Sequence, residues 1–213
     1  MKNIVTIVDY GINNIQSVIE AIKFIGVKVE IAIKPSELVN SSHIIIPVVE
    51  AFPEGIKKLK NLGLDQMIIN KAKQKSKILG ICLGMQMLFT KSDEYGEYKG
   101  LNLIPGEVTQ IQHSDDNEEK IPVIGWRETK FSSSKKKNFL NEELNKKYFY
   151  YLHSYHVIPK RKQNIIAYYN RGKTRINSIV CSENIWGVQF HPEKSGEAGL
   201  NFLKNFFSFN TKK

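Results

Sequence analysis

Lys77-Ile78-Leu79-Gly80-Ile81-Cys82-Leu83-Gly84-Met85-Gln86 is the stretch that decides how the rest of the chain is read. An apolar run reaches Gly80, a lone cysteine follows at 82, and glycine returns at 84. A strand that turns sharply into a helix lifts a reactive atom above the end of a sheet, and this is the cysteine form of that nucleophile elbow. Small residues at 80 and 84 let the turn close without a Cβ clash. The Cys82 sulfur then stands at the start of the next helix, where the peptide dipoles favour its anion. The alternative is a cysteine buried on a core strand, since free cysteine is among the most buried residue types. The remainder of the chain distinguishes the two.

Upstream of the elbow, short apolar runs alternate with amphipathic segments. Ile4 to Val8 reads as a strand, and Asn14 to Phe24 as a helix with Ile15, Val18, Ile19 and Ile22 on one face, stopped by Gly26. Val27 to Ile33 alternates as a second strand, and His43 to Ile46 is a third that Pro47 ends. Phe52 to about Lys75 reads as helix with a break near Gly63, Lys77 to Ile81 as the fourth strand, and Leu83 to Phe89 as the next helix. Such alternation predicts an α/β fold, a mostly parallel central sheet flanked by helices, whose ligands bind beyond the carboxyl ends of the strands. Cys82 and the segment after Pro47 both fall at such ends.

After about residue 105 the elements shorten. Gly106 to Gln112, Val123 to Glu128, Tyr148 to Val157, Asn164 to Asn170 and Ile176 to Cys181 read as additional, hairpin-linked antiparallel strands, with loops at 115–120 and 132–137. Ile185 to Phe190 is a further strand and Gly199 to Phe209 a closing helix. No repeat or linker divides the 213 residues, which read as a single domain.

The first nine residues lack the apolar stretch and cleavage site of a signal peptide, and no run is long enough to span a membrane. Two cysteines make no disulfide framework, so a cytoplasmic location is expected. The net charge of +10 is spread along the chain with no nucleic-acid-binding module and reads as a solvated basic surface.

A nucleophilic thiol needs a base, and the base an orienting group. Of five histidines, His43 opens a buried strand and His113 borders an acidic loop. His191 ends the run Trp186-Gly187-Val188-Gln189-Phe190 and is followed by Pro192 and Glu193. Proline fixes the backbone after the histidine, so Glu193 can bond one ring nitrogen while the other faces the thiol. The tripeptide alone is a weak signal; joined to an elbow cysteine in an α/β pattern it becomes a strong one.

With both segments, the chain resembles the class I (triad) glutamine amidotransferases, whose fold is flavodoxin-like. Within that family it is most similar to the branch that forms the glutaminase subunit of imidazole glycerol phosphate synthase. Asp9-Tyr10-Gly11 with Asn13-Asn14, Leu101 to Gly106, Pro122 to Trp126, His153-Ser154-Tyr155 and Lys194-Ser195 carry that further likeness. The resemblance implies hydrolysis of glutamine to glutamate and ammonia, with Cys82 as nucleophile, His191 as base and acid, and Glu193 orienting it. It implies oxyanion donors at Leu83 and Val49, and glutamine binding by Gln86, Ser154 and Tyr155. Asn13, Asn14 and Lys194 fall near the expected interface with a (β/α)8-barrel synthase subunit, which receives the ammonia. No metal or cofactor is implied. Gln86 also reads as an exposed helix residue, Ser154 and Tyr155 as strand packing, and Cys181 as structural.

One segment departs from the family pattern. The proline of the third strand is usually followed by Gly-Val-Gly, whereas here it is followed by Val48-Val49-Glu50. Valine resists positive φ, and Glu50 brings a carboxylate near the developing oxyanion. Loss of one oxyanion donor costs about 10²–10³ in turnover. This predicts a glutaminase that is impaired or depends on its partner to reshape the loop. Three other readings stay open on sequence: a paralogue supplying ammonia for amidine formation on a surface sugar, a catalytically impaired regulatory subunit, and a cysteine peptidase or chaperone-like protein.

Overall fold

The computed structural model describes residues 4–11, 15–48, 51–112, 120–132 and 142–208. Four apolar runs become the parallel strands β1 (Ile4–Val8), β2 (Lys28–Ala32), β3 (His43–Ile46) and β4 (Lys77–Ile81). Between them lie α1 (Gln16–Phe24), α2 (Phe52–Asn61) and α3 (Leu64–Lys73). The break between α2 and α3 is at Gly63, which takes φ +67. Ile44 and Ile46 point to one face of the sheet and Ile45 to the other, and all three are fully buried. A strand buried on both faces reads as a continuous apolar run, which is why these boundaries were legible.

Past the elbow the chain forms α4 (Leu83–Met87), β5 (Phe89–Ser92), β6 (Tyr98–Lys99), β7 (Ile104–Gln110), β8 (Val123–Phe131), β9 (Lys147–His153) and β10 (Tyr155–Pro159). It ends with β11 (Ile165–Arg171), β12 (Thr174–Ser182), β13 (Ile185–Val188) and α5 (Gly196–Ser208). A nine-stranded mixed sheet has the order β2-β1-β3-β4-β13-β12-β11-β8-β9. Its first five strands are parallel and the rest antiparallel. α1 and α5 cover one face through Val18, Ile22, Phe202 and Phe206, while α2 and α3 cover the other through Phe52, Leu59 and Ile68.

Two expectations are corrected. The elbow helix ends at Met87, and Phe89 opens a strand. The returning backbone captures its last carbonyls, Leu101 N–H donating to Met87 O at 2.8 Å and Leu103 N–H to Leu88 O at 2.8 Å. Tyr148 to Val157 is two strands, because the chain leaves the large sheet at Ser154. There it joins a second, four-stranded sheet of order β10-β7-β5-β6.

The elbow is set by close backbone contact. A Cβ on Gly84 would lie 2.0 Å from Ile46 O at the end of β3, and one on Gly80 2.5 Å from Gly84 O. Gly84→Ala should therefore destabilise the fold by about 1–3 kcal/mol, the usual cost of overpacking, read from a urea unfolding midpoint. A midpoint equal to wild type would show that the contact is not tight.

Candidate active site

Cys82 sits between the last residue of β4 and the first of α4, with φ 51 and ψ −110. Only close packing holds an L-residue there, and such strain gathers at functional positions. Its own N–H donates to Val188 O at 2.7 Å, tying the elbow to β13. The sulfur lies 3.6 Å from Leu152 O of β9 and 3.6 Å from Gln189 Nε2.

His191 and Glu193 follow β13 in a short 3-10 turn, Pro192–Lys194. Two bonds dock this turn on β9, His191 N–H to Tyr150 O at 2.9 Å and Tyr150 N–H to Ser195 Oγ at 2.9 Å, and Ser195 Oγ–H to His191 O at 2.6 Å closes it. His191 Nδ1 meets Glu193 Oε1 at 2.8 Å, with the two side chains only 5% and 3% exposed. The opposite nitrogen, Nε2, is buried without a hydrogen bond of good geometry. Burial alone would lower the imidazole's proton affinity. The Cys82 sulfur and the Glu193 carboxylate outweigh it and hold the proton well above the ordinary imidazole range, at about 10. One imidazole nitrogen thus rests on the carboxylate while the ring is coupled to the thiol, an arrangement that suits a base and its orienting group.

These groups open into a cavity of about 410 Å³ lined by Val48, Cys82, Leu83, Gln86, Glu94, Tyr95, Pro122, Leu152, His153, Ser154, Tyr155 and His191. Gln86 is buried and its Nε2 donates to Tyr155 O at 3.1 Å, so it is no exposed helix residue. Ser154 and Tyr155 line the same cavity. Leu83 opens α4, leaving its N–H without a partner inside the helix. Lys194 is exposed one residue beyond Glu193. Val49, Glu50, Asn13 and Asn14 lie outside the described residues. Val48 does not take a positive φ, and it packs against the apolar cores. Tyr10 Oη–H donates to Pro47 O at 2.7 Å just before it.

Sequence reasoning missed three residues here. Glu94 accepts the Phe52 N–H at 2.8 Å and turns a buried carboxyl, raised in pKa by that burial, toward the cavity. Gln189 touches the sulfur. His153 donates from Nδ1 to Tyr155 O at 2.8 Å and accepts from Tyr169 Oη at 3.0 Å; burial keeps it neutral, with its pKa lowered to about 3. Among the described residues, no group of three or more His, Cys, Asp or Glu is placed to hold a metal ion. No helix among them is long and apolar enough to cross a membrane.

A buried thiol coupled to a histidine–carboxylate pair at the end of a parallel strand defines a hydrolase that works through a cysteine nucleophile. The chain belongs to the class-I glutamine amidotransferases: the model of that family, "Glutamine amidotransferase class-I", matches residues 6–209. It is 37% identical over 205 residues to the imidazole glycerol phosphate synthase subunit HisH of Chlorobaculum tepidum, covering 96% of this chain and 100% of that one. The HisH subunit of Wolinella succinogenes is 38% identical over 203 residues, covering 95% and 98%. Among solved structures, one described as a glutamine amidotransferase superposes with a TM-score of 0.71 at 16% identity, covering 94% of this chain and 98% of that one. PurLQS from Thermotoga maritima gives 0.70 at 18%, covering 98% and 99%. These two show the shared fold.

The state of His191 has a kinetic consequence. Its acid form is present below its pKa and lost above it. The alkaline limb of the kcat profile should therefore lie far above 6.5, toward about 10, and Glu193→Gln should bring it down. A wild-type limb near 6.5 would contradict the coupling.

Proposed function

We propose that this chain is the glutaminase subunit of an imidazole glycerol phosphate synthase, making ammonia from glutamine for a (β/α)8-barrel synthase subunit in histidine biosynthesis. The observation that carries the chemistry is the strained Cys82 facing a histidine already held by a carboxylate. Full-length similarity to HisH subunits supports this branch over amidine formation on a sugar.

Cys82 Sγ, its proton already held on the His191 imidazole, attacks the side-chain amide carbon of glutamine. The tetrahedral oxyanion is met by the Leu83 N–H and, from the loop after Pro47, by that of Val49. The C–N bond then breaks, His191 passes its proton to the leaving nitrogen, and ammonia departs from a γ-glutamyl thioester. Water, deprotonated by His191, attacks the thioester carbonyl; the sulfur leaves as the anion, the proton stays on His191, and glutamate is released. Glu193 keeps the imidazole aligned throughout. Gln86, Ser154 and Tyr155 hold the substrate, and the Glu94 carboxyl suits its α-ammonium group.

The handover of ammonia needs a partner over the site. On one face of the β8–β9 ribbon, Ile124 pairs with Leu152 and Trp126 with Tyr150 across the strands. Ile124, Trp126, Tyr148 and Leu152 are 56%, 50%, 58% and 39% exposed. This apolar patch reaches the cavity itself, since Leu152 lines it and the Tyr150 ring lies 6.3 Å from that of His191. Lys194 lies in the turn docked on Tyr150, and we infer that it joins the same interface, to which Asn13 and Asn14 belong by the family resemblance. An apolar surface with aromatic anchors beside a mouth suits a docked protein.

Ammonia release from glutamine should require Cys82 and be stimulated by the barrel subunit, and Trp126→Ala should weaken that complex roughly tenfold or more. Full activity in Cys82→Ala, or peptide cleavage in place of glutaminase, would overturn the reading. The loop is tested separately. Val48→Gly with Glu50→Gly should raise glutamine turnover in the assembled complex, and unchanged turnover would show that these substitutions do not limit the oxyanion hole.

A further inference from the structure

Two buried side-chain amides run through the base of the site. Gln86 Nε2 donates to Tyr155 O at 3.1 Å and to Gln189 Oε1 at 3.2 Å, and Gln189 Nε2 lies 3.6 Å from Cys82 Sγ. Gln189 is fully buried, Gln86 2% exposed.

The oxygen and nitrogen of an amide are told apart by their partners, and here the partners leave one solution. A main-chain carbonyl can only accept, so the Gln86 NH₂ must face Tyr155 O. That same NH₂ then requires the oxygen of Gln189 opposite it. Gln189 is left with its NH₂ toward the sulfur. His153 fixes the far end, because its Nδ1–H holds Tyr155 O while Tyr169 Oη–H donates to its Nε2. Since burial keeps His153 neutral, that anchor does not change with pH in the physiological range.

We propose that Gln189 is a further catalytic residue, an amide N–H donor to the Cys82 sulfur, aimed there by Gln86. It stabilises the sulfur anion whose proton His191 holds, and again when sulfur leaves the thioester. Gln86 thereby acts as a positioning residue for the nucleophile in addition to lining the cavity. The arrangement links the substrate segment at Tyr155 to the reacting atom through side chains shielded from water. A hydrogen bond to a charged group contributes more than one between neutral groups, and a buried one is not replaced by solvent. The inference rests on Cys82 being the nucleophile.

The test is the rate at which iodoacetamide alkylates Cys82 at neutral pH, with the site assigned by peptide mass. This probe needs no glutamine pocket and no oxyanion hole. Gln189→Met, similar in length but without a donor, should slow alkylation about tenfold or more, the loss expected for a bond to an anion. It should lower kcat similarly while changing the KM for glutamine little. Gln86→Met should slow alkylation less, and the double variant no more than Gln189→Met alone. A wild-type alkylation rate in folded Gln189→Met overturns the inference; so does additivity in the double variant. Should Gln189→Met fail to fold, Gln86→Met decides, and an unchanged rate there is fatal. Loss of glutaminase in Cys82→Ala tests the nucleophile independently.

Discussion

Ile46 O and the Cα of Gly84 approach so closely that no methyl group fits between them, and the active site follows from that contact. The end of β3 and the start of α4 share the space. To reach it, the chain leaving β4 must turn at once, which forces Cys82 to φ 51. β13 completes the constraint: its Gly187 pairs with Gly80, and Val188 O takes the Cys82 N–H at 2.7 Å. The strand that fixes the nucleophile's backbone therefore also delivers Gln189, His191 and Glu193 a few residues later. Parallel register, rather than any flexible loop, brings the thiol and its base together.

Electrostatics then act in a nearly dry volume. The His191 and Glu193 side chains are almost fully buried, so the imidazole keeps its proton only because carboxylate and sulfur sit beside it. His153, a few residues along β9, is buried without such an anion and stays neutral. Two histidines in one cavity thus carry opposite states, set by neighbours: one moves protons and the other holds a main-chain carbonyl. Separation of roles by environment is the usual means by which one site runs acid and base steps.

Much of this was legible from the sequence, for physical reasons. β1, β3 and β4 are apolar runs bounded by glycine, proline or charge, and their ends fell where expected. The elbow and the His-Pro-Glu turn are local, so Cys82, His191 and Glu193 stood out. The four-stranded second sheet did not, because β5 and β6 are very short and β7 finds its other partner, β10, far along the chain. The shortening of α4 depends on carbonyls captured by residues 101–103, which no helical periodicity reveals. Glu94 and Gln189 were missed likewise, since the partners that define them lie 42 and 107 residues away. Val48 takes an ordinary backbone with its side chain on the core, while Val49 and Glu50, which share the oxyanion loop with it, lie outside the described residues.

The central claim is that the strained cysteine, coupled to His191, forms a covalent bond with the substrate. It is tested most directly by acid-quenching the complex with its barrel subunit during glutamine turnover and weighing the active-site peptide. The account predicts a γ-glutamyl adduct on Cys82 that accumulates when thioester hydrolysis is slowed. Full ammonia production with Cys82 never modified, or an adduct on another residue, would contradict it.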